Sequence, residues 1–321
     1  MKRTIFPYME HEQPEKFSFF DFFAKYPNEE AAEKYFEELR WGGKVVCPHC
    51  GSEHVSSCTK PMPFRCKKCR RHFSVRTGTM LAESRLPLQK WLLAIYILTN
   101  SKKGVSSLQL AEYLDCTQKT AWFLGHRIRE AWTSETDEKL SGTVEADETY
   151  IGGRESNKHQ SKKLNAGRGS VGKTPVFGMK SRESRQVKAF TVERTTTKEL
   201  TTAIRENVEP ESSVYTDQFS AYKGLDEYDH RQVNHGTGEY ANGIVWTNGI
   251  EGFWSLLKRG HYGYYHYWSR KHLQKYINEF KIRFNMKECA PLVRMDSVIT
   301  NSYGKRLTYR SLTHGETAEN H

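Results

Sequence analysis

Apolar residues recur at helical spacing along the first third of the chain. Asn28 can cap a helix whose apolar positions return at every third or fourth residue from Ala31 to Leu39. Further on, the apolar run 88–98 predicts a buried helix. These patterns indicate an N-terminal helical segment over residues 1–44 and a second helical unit after it. What the N-terminal segment packs against cannot be read from the pattern.

Two short helices follow the apolar run and predict a helix-turn-helix within residues 84–133. Ser106 and Thr117 can each cap a helix, and Asp115 marks the break between them. The second helix would offer Gln118 and Lys119 to a major groove. Three further side chains of this helix would lie near the DNA backbone: His126, Arg127 and Arg129. A plain three-helix packing unit explains the same spacing; the neighbouring cysteine motifs, described below, favour DNA reading.

Beyond a linker rich in charged residues, Ser and Thr, the pattern changes to short apolar strands. A first strand begins at Thr143 and ends at Asp147-Glu148. The other predicted elements are strands at 176–180, 187–192, 213–216 and 231–234, with helices from Thr197 and around 221–225. This order predicts a multidomain α/β protein whose mixed sheet carries helices on both faces.

An amphipathic helix within residues 245–258 follows the last strand. Glu251 lies among apolar residues, and Lys258 comes seven positions, or about two turns, later, so both side chains share one face. A carboxylate at the rim of such a helix is well placed to bind a metal. An ordinary amphipathic helix with a solvated Glu and Lys explains this helix equally well.

The composition indicates a polyanionic partner. The 321-residue chain has a formal net charge of +11 and a pI of about 9.2, and excess Lys and Arg attract phosphate backbones. Double-stranded DNA is the expected partner, since the longest apolar run, Trp91 to Leu98, is too short to span a membrane. Because no charged-then-apolar leader opens the chain, we expect a cytoplasmic protein whose thiols stay reduced.

Four of the seven cysteines form two C-x2-C motifs. Cys47 and Cys50 are followed, after fifteen residues, by Cys66 and Cys69. This spacing predicts a structural zinc ribbon over residues 45–78, with a redox pair as the alternative. Four basic residues lie within or just after the second motif: Lys67, Lys68, Arg70 and Arg71. Such charge on a small metal-held module indicates contact with phosphates.

Residues 167–174, G-R-G-S-V-G-K-T, match the phosphate-loop pattern of nucleotide hydrolases. That motif requires an apolar strand before it and a helix after it, whereas here polar residues precede it and Pro175 opens a strand. We therefore interpret the segment as a flexible basic loop that follows DNA phosphates. The wider segment 154–185 carries nine basic residues, among them Lys162, Lys163, Arg168 and Lys173.

Three acids can be brought together from two strand ends and a helix. Asp147 ends one strand, Asp217 ends another, and Glu251 follows 34 positions later. Such carboxylates can hold two magnesium or manganese ions, roughly 3.5 to 4 Å apart, for in-line attack on phosphorus. Each Asp taken singly is more typical of an ordinary acid at the start of a loop. The basic chain and the zinc ribbon favour the metal site.

The sequence around these acids resembles a known family. V-E-A-D-E-T-Y-I-G-G, V-Y-T-D-Q-F-S-A-Y and T-N-G-I-E-G-F-W-S-L-L-K-R-G occur in order and look like the motif blocks of bacterial insertion-sequence transposases related to the Merlin superfamily. The resemblance extends to the zinc ribbon and covers most of residues 20–287. It implies a ribonuclease-H-like catalytic domain, within 140–290, whose DDE triad would be Asp147, Asp217 and Glu251. Some relatives carry Asn at the third acidic position.

The resemblance also implies a role for residues beside the triad. Lys258 matches the basic residue after the third acid that would touch the DNA end, and Arg259 follows it. Glu145 and Glu148 flank the first Asp, and periodicity alone does not exclude them. His235 also recurs in similar sequences, with a structural role as the default.

The expected function is a transposase that binds the terminal inverted repeats of a mobile element and cuts and joins DNA strands with two metal ions. A homodimer or higher oligomer on DNA is expected, with residues 291–321 as a C-terminal tail. One rival is a non-catalytic DNA-binding regulator, and a second is a related nuclease that cleaves without joining.

Overall fold

The computed structural model describes residues 16–59, 62–133, 138–153, 157–164, 170–217, 220–233 and 246–314. Its helices are α1 (Phe19–Lys25), α2 (Glu29–Trp41), α3 (Leu88–Asn100), α4 (Ser107–Leu114), α5 (Gln118–Ala131), α6 (Thr197–Asn207), α7 (Asn248–Gly260), α8 (Leu273–Asn285), α9 (Pro291–Thr300) and α10 (Tyr309–His314). Its strands are β1 (Val55–Ser57), β2 (Phe64–Cys66), β3 (His72–Phe73), β4 (Thr143–Ile151), β5 (Thr174–Ser181), β6 (Val187–Thr191), β7 (Ser213–Asp217) and β8 (Asp229–Val233). Among the helices of these ranges, none has the length and apolar character needed to cross a membrane.

A five-stranded mixed sheet forms the centre of the second half, in the order β6-β5-β4-β7-β8. The central strand β4 pairs antiparallel with β5 and parallel with β7. Side chains alternate along β4: Val144 and Ala146 enter one apolar cluster, while Glu145 and Asp147 contact α7 on the other face. The predicted mixed sheet is therefore confirmed.

Helices cover both faces of this sheet, as predicted. α6 packs Leu200 and Ile204 against the face that carries Val144. α7 and α8 cover the opposite face with a separate apolar cluster. Gly178 on β5 permits the close approach of α7, because a Cβ at this position would lie 2.5 Å from the ring of Trp254.

The first half is a helical unit with its own core, formed by α1 to α5 together with α9. Pro87 gives α3 no side-chain cap; instead both carboxylate oxygens of Glu29 accept the N–H groups of Leu88 and Gln89, at 2.7 and 2.8 Å. The N-terminal helices thus pack on α3 and α9.

Residues 291–321, expected to form a tail, are instead helical over α9 and α10. Met295, Val298 and Ile299 of α9 are buried in the core of the first half. Their spacing of three and four residues gives α9 one apolar face, which explains why this segment packs rather than extending into solvent.

Helices α4 and α5, the predicted helix pair, begin at the caps that the sequence predicts. Ser106 accepts the N–H of Gln109, and Thr117 accepts the N–H of Thr120, both at 3.2 Å. Asp115, between the two helices, has a left-handed φ of 46° and ends α4.

Two predicted boundaries differ from the structure. β4 does not end at Asp147-Glu148 but continues to Ile151, because its last residues pair with Thr174 to Val176 of β5. The predicted helix around 221–225 is a single 3₁₀ turn over Ser220–Tyr222. The phosphate-loop pattern is followed by strand β5 rather than a helix, as expected.

Candidate active site and zinc centre

The four cysteines of the two motifs meet in the zinc ribbon, whose strands β1 to β3 form a small antiparallel sheet. Their sulfurs all lie within 4.8 Å of one another. The Sγ atoms of Cys47 and Cys69 are 3.7 Å apart, and those of Cys50 and Cys66 are 3.6 Å apart. A tetrahedral zinc with Zn–S bonds of about 2.3 Å requires S–S distances of roughly 3.8 Å. The predicted structural zinc site therefore fits.

The chemistry of the cysteines also suits a metal. The backbone N–H of Cys69 donates to Sγ of Cys66 at 3.4 Å. This donation outweighs the effect of burial and lowers the pKa of the Cys66 thiol to about 6. A thiolate is the form that binds zinc.

Two of the three predicted acids are aligned on neighbouring strands. Thr143 to Glu145 of β4 pair in parallel with Ser213 to Tyr215 of β7. Carrying this register two residues further sets Asp147 beside Asp217, on the same face of the sheet. Strands in a sheet lie about 4.8 Å apart, so the two carboxylates are neighbours in space although 70 residues separate them in the sequence.

Helix α7 carries the third acid, Glu251, and packs against the strand that carries Asp147. Ile250 and Phe253 anchor α7 on the sheet, which leaves Glu251 exposed on the outer side. One turn after Glu251, the indole N–H of Trp254 donates to a carboxylate oxygen of Asp147 at 2.9 Å. α7 therefore connects the third acid to the first through Trp254.

A cavity of about 780 Å³ lies at this junction. Asp147, Glu148, Glu251 and Trp254 contribute to its wall, and its basic and aromatic lining comes from Lys258, Arg259 and Tyr262. Within the described ranges, the four cysteines are the one set of three or more potential ligands already gathered closely enough for a metal; the acids are arranged more openly.

Burial and neighbouring charge raise the affinity of two acids of the site, Asp147 and Glu148, for protons. Burial, followed by the nearby charges of Glu148 and Asp217, raises the pKa of Asp147 to about 7. Burial also raises the pKa of Glu148, against the effect of a hydrogen bond from the Tyr222 hydroxyl. Concentrated negative charge of this kind attracts cations and is typical of functional sites.

The two glutamates beside Asp147 have different positions. Glu145 is buried and accepts the backbone N–H of Ile250 at 2.9 Å and the Nε–H of Arg182 at 2.8 Å. It therefore holds the start of α7 on the sheet. Glu148 lines the cavity instead. The sequence left both glutamates open and did not identify Trp254 as a partner of Asp147, a contact that depends on how α7 packs.

Most residues predicted to bind DNA lie at the surface. Exposed are Lys67, Lys68, Arg70, Arg71, Gln118, Lys119 and Arg259. Partly exposed are Lys163, Lys173 and Lys258. Arg168 and His235 lie outside the described residues, and the side chain of Lys162 is likewise not described.

Arg127, His126 and Arg129 are buried rather than exposed on α5. Arg127 lies three residues after Leu124, on the face of α5 that packs into the core. Its guanidinium donates to the carbonyl of Ala82 at 2.5 Å and lies over the ring of Trp91. In this structure these side chains cannot reach a phosphate.

Comparison with known proteins gives two family matches. Residues 139–285 match the ISXO2-like transposase domain, and residues 27–72 match the transposase zinc-ribbon domain. The second match confirms the predicted ribbon.

Individual relatives agree with these matches. A protein of Halobacterium salinarum, described as an uncharacterized protein in transposable element ISH50, is 32% identical over 273 residues, which are 80% of this chain and 90% of that protein. An uncharacterized transposase-like protein of Haemophilus influenzae is 40% identical over 87 residues, 26% of this chain and 69% of its own.

Among solved structures, one chain of a simian T-cell lymphotropic virus intasome in complex with PP2A regulatory subunit B56 gamma is 13% identical, with 60% of this chain and 67% of that chain covered. Its TM-score of 0.28 is too low to establish a common fold. The two family matches and the relative from Halobacterium salinarum show that the chain belongs to the family of ISXO2-like transposases.

Proposed function

We propose that this transposase cuts and joins DNA strands at the ends of a mobile element with a DDE triad of Asp147, Asp217 and Glu251. One observation carries the proposal: Asp147 of β4 and Glu251 of α7 line one cavity, and the parallel register of β4 and β7 sets Asp217 beside Asp147. The cavity opens beside Lys258 and Arg259, whose charges suit a DNA phosphate.

The donor set fits divalent cations, since Mg²⁺ and Mn²⁺ prefer carboxylate oxygens. Asp147, Asp217 and Glu251 would hold them, and positive charge would offset both the burial and the repulsion that raise the pKa of Asp147. Such ions, when bound, activate a water or sugar hydroxyl and stabilise the leaving oxygen. The N–H of Trp254 fixes the orientation of the Asp147 carboxylate.

Two phosphoryl transfers account for cutting and joining. In the first, a water oxygen attacks phosphorus at the element's end, and the bond from phosphorus to the 3′ oxygen breaks, which frees a 3′ hydroxyl. In the second, that hydroxyl attacks a phosphorus of target DNA and displaces its 3′ oxygen. One triad serves both steps because the chemistry is the same.

The remaining parts of the chain would bind the DNA. We propose a ribonuclease-H-like assignment for the sheet domain, supported by three antiparallel strands followed by two parallel ones. The exposed side chains of Gln118 and Lys119 at the start of α5 support a helix-turn-helix that reads the terminal repeats. The basic face of the zinc ribbon and the basic loop after β4 would bind phosphates, in a homodimer or higher oligomer on DNA.

The proposal is tested with duplexes that carry the ends of the element encoding this protein. Asp147→Asn, Asp217→Asn and Glu251→Gln should each lower Mg²⁺-dependent strand cleavage by roughly a thousandfold or more, with end binding in a gel-shift assay retained. The loss follows because each change removes a charged metal ligand.

Glu209→Gln supplies the matched control, since this exposed acid lies outside the cavity and should leave cleavage unchanged. If the three variants cut as fast as the control does, the triad has been assigned to the wrong acids. A precut end with a free 3′ hydroxyl separates the rival activities: a strand-transfer product supports a transposase, hydrolysis alone a nuclease. DNA binding without cleavage would indicate a regulator.

A further inference from the structure

A tyrosine-rich turn directly follows the helix that carries Glu251. We call residues 261–267, H-Y-G-Y-Y-H-Y, the tyrosine turn. Three of its tyrosines have exposed rings: Tyr262, Tyr264 and Tyr267. The proposed cleavage chemistry does not require these tyrosines.

Tyr262 is the tyrosine of this turn that lies at the candidate active site. Tyr262 is 49% exposed and lines the same cavity as Asp147 and Glu251. The buried ring of His261 supports it edge-on, with centroids 4.7 Å apart. His261 in turn packs against Trp268 at 4.7 Å. The Tyr262 ring is thus packed against a buried ring on one side, while the residue stays about half exposed and lines the cavity.

The backbone of the turn is shaped to present this ring. His261–Tyr265 form a π-helical turn, and His266 has a left-handed φ of 58°, a conformation that is costly for a residue other than glycine. Tyr265 anchors the turn from within, because its hydroxyl donates to the buried carboxylate of Glu279 at 2.8 Å. π-helical turns and strained residues such as these are frequent at functional sites.

Two basic residues beside Tyr262 favour a nucleic acid strand as the occupant. Lys258 and Arg259 line the cavity together with Tyr262, and their charges suit the phosphates of a strand that reaches the acids. The cavity has the volume of a site for a small ligand, so it accepts part of one strand rather than a whole duplex. Exposed aromatic rings within a basic groove are the usual means of binding unpaired bases.

We propose that Tyr262 is a stacking platform for a base that is unpaired from the DNA end when the cleaved phosphate enters the cavity. The inference rests on the proposed function and extends it with a binding site for a nucleobase. Stacking on an aromatic ring compensates for the lost stacking within the duplex, which lets the strand bend towards Asp147 and Glu251.

The test measures single-turnover cleavage of element-end duplexes in which an abasic nucleotide is placed, in turn, at each position flanking the cleaved phosphate. On intact DNA, Tyr262→Ala should cleave roughly 5- to 150-fold more slowly than the wild type, whereas Tyr262→Trp and Tyr262→Phe keep most of the rate. At one abasic position the rates of Tyr262→Ala and the wild type should become equal, because no base remains to be unpaired or stacked.

Tyr267→Ala is the matched control, since this ring is 71% exposed but does not line the cavity, and its rate should equal that of the wild type. Rescue by an abasic nucleotide also shows that Tyr262→Ala is folded. If Tyr262→Ala cleaves intact DNA at the wild-type rate, or if no abasic position removes its defect, the stacking site is disproved while the transposase proposal stands. A wild-type protein that fails to cleave disproves both.

Discussion

His126 is a titratable residue that is buried in the core of the helical half. The ring of His126 is fully buried among the rings of Trp122, His272 and Tyr276. Neither ring nitrogen has a hydrogen-bond partner in the described part of the chain. Burial, followed by the charges of Arg129, His272 and Lys275, lowers the pKa of His126. The folded protein therefore keeps this imidazole neutral.

We expect His126 to make the protein sensitive to acid. Below about pH 6.5 the unfolded chain binds a proton at this residue and the folded chain does not, so stability falls by up to about 1.4 kcal/mol per pH unit. The change His126→Phe should reduce that loss between pH 6.5 and 4.5. Urea unfolding of both proteins at several pH values measures the difference.

His314→Gln provides the comparison, because this histidine is exposed on α10 and its replacement should leave the pH dependence unchanged. Identical pH profiles for His126→Phe and the wild type would contradict the role assigned to the buried imidazole. Zinc release at low pH affects all three proteins alike and does not alter the comparison.

At the scale of elements, helix caps could be predicted from the sequence, whereas the pairing of distant strands could not. The caps at Asn28, Ser106 and Thr117 lie within three residues of the N–H groups they accept, so the sequence is sufficient to place them. The end of β4 was misplaced because the residues beyond Asp147 are held by pairing with β5. That pairing depends on strand register, which the alternation of β4 alone does not determine.

The apolar core of the zinc ribbon is too small to stabilise the ribbon without a bound metal. Its strands have two or three residues each, and its buried core consists of Cys47, Cys66 and Phe73. Cys66→Ser removes one of four ligands, so we expect the zinc content to fall from about one ion per chain towards none. Metal analysis of the purified protein measures this, and gel shifts should show weaker binding of DNA.

Cys58→Ser is the control for this change. Cys58 lies between the two motifs but outside the four-cysteine cluster, so its replacement should leave the zinc in place. Should Cys66→Ser retain as much zinc as Cys58→Ser, the four-cysteine assignment would be wrong.

At the scale of the whole molecule, a buried ionic cluster joins the helical half to the sheet half. Glu279 on α8 is fully buried and accepts from Arg129 on α5 at 2.6 Å, from Arg283 at 2.5 Å and from the Tyr265 hydroxyl at 2.8 Å. Although burial raises the pKa of Glu279, the two guanidinium groups lower it overall. The carboxylate therefore stays charged where the two halves meet.

This cluster also explains why the prediction that Arg129 lies near the DNA backbone was wrong. A basic residue on a presumed recognition helix indicates a phosphate contact when its partner is unknown. The partner here is 150 positions away, on helix α8, which packs on the sheet together with α7. Burial of charge across an interface cannot be inferred from helical spacing, because spacing describes one element at a time.

Removing the shared carboxylate should unfold the molecule more readily than removing a surface acid. Glu279→Gln leaves Arg129 and Arg283 buried without a counter-charge, which should lower the free energy of unfolding by about 3–5 kcal/mol. Glu288→Gln is the matched control: its carboxylate pairs with Arg185 at 3.0 Å with both side chains well exposed, so the cost should be about 0–1 kcal/mol. Urea unfolding measures both. Equal midpoints for the two variants would mean that the cluster does not hold the halves together, and the Tyr265 anchor of the tyrosine turn would then need another support.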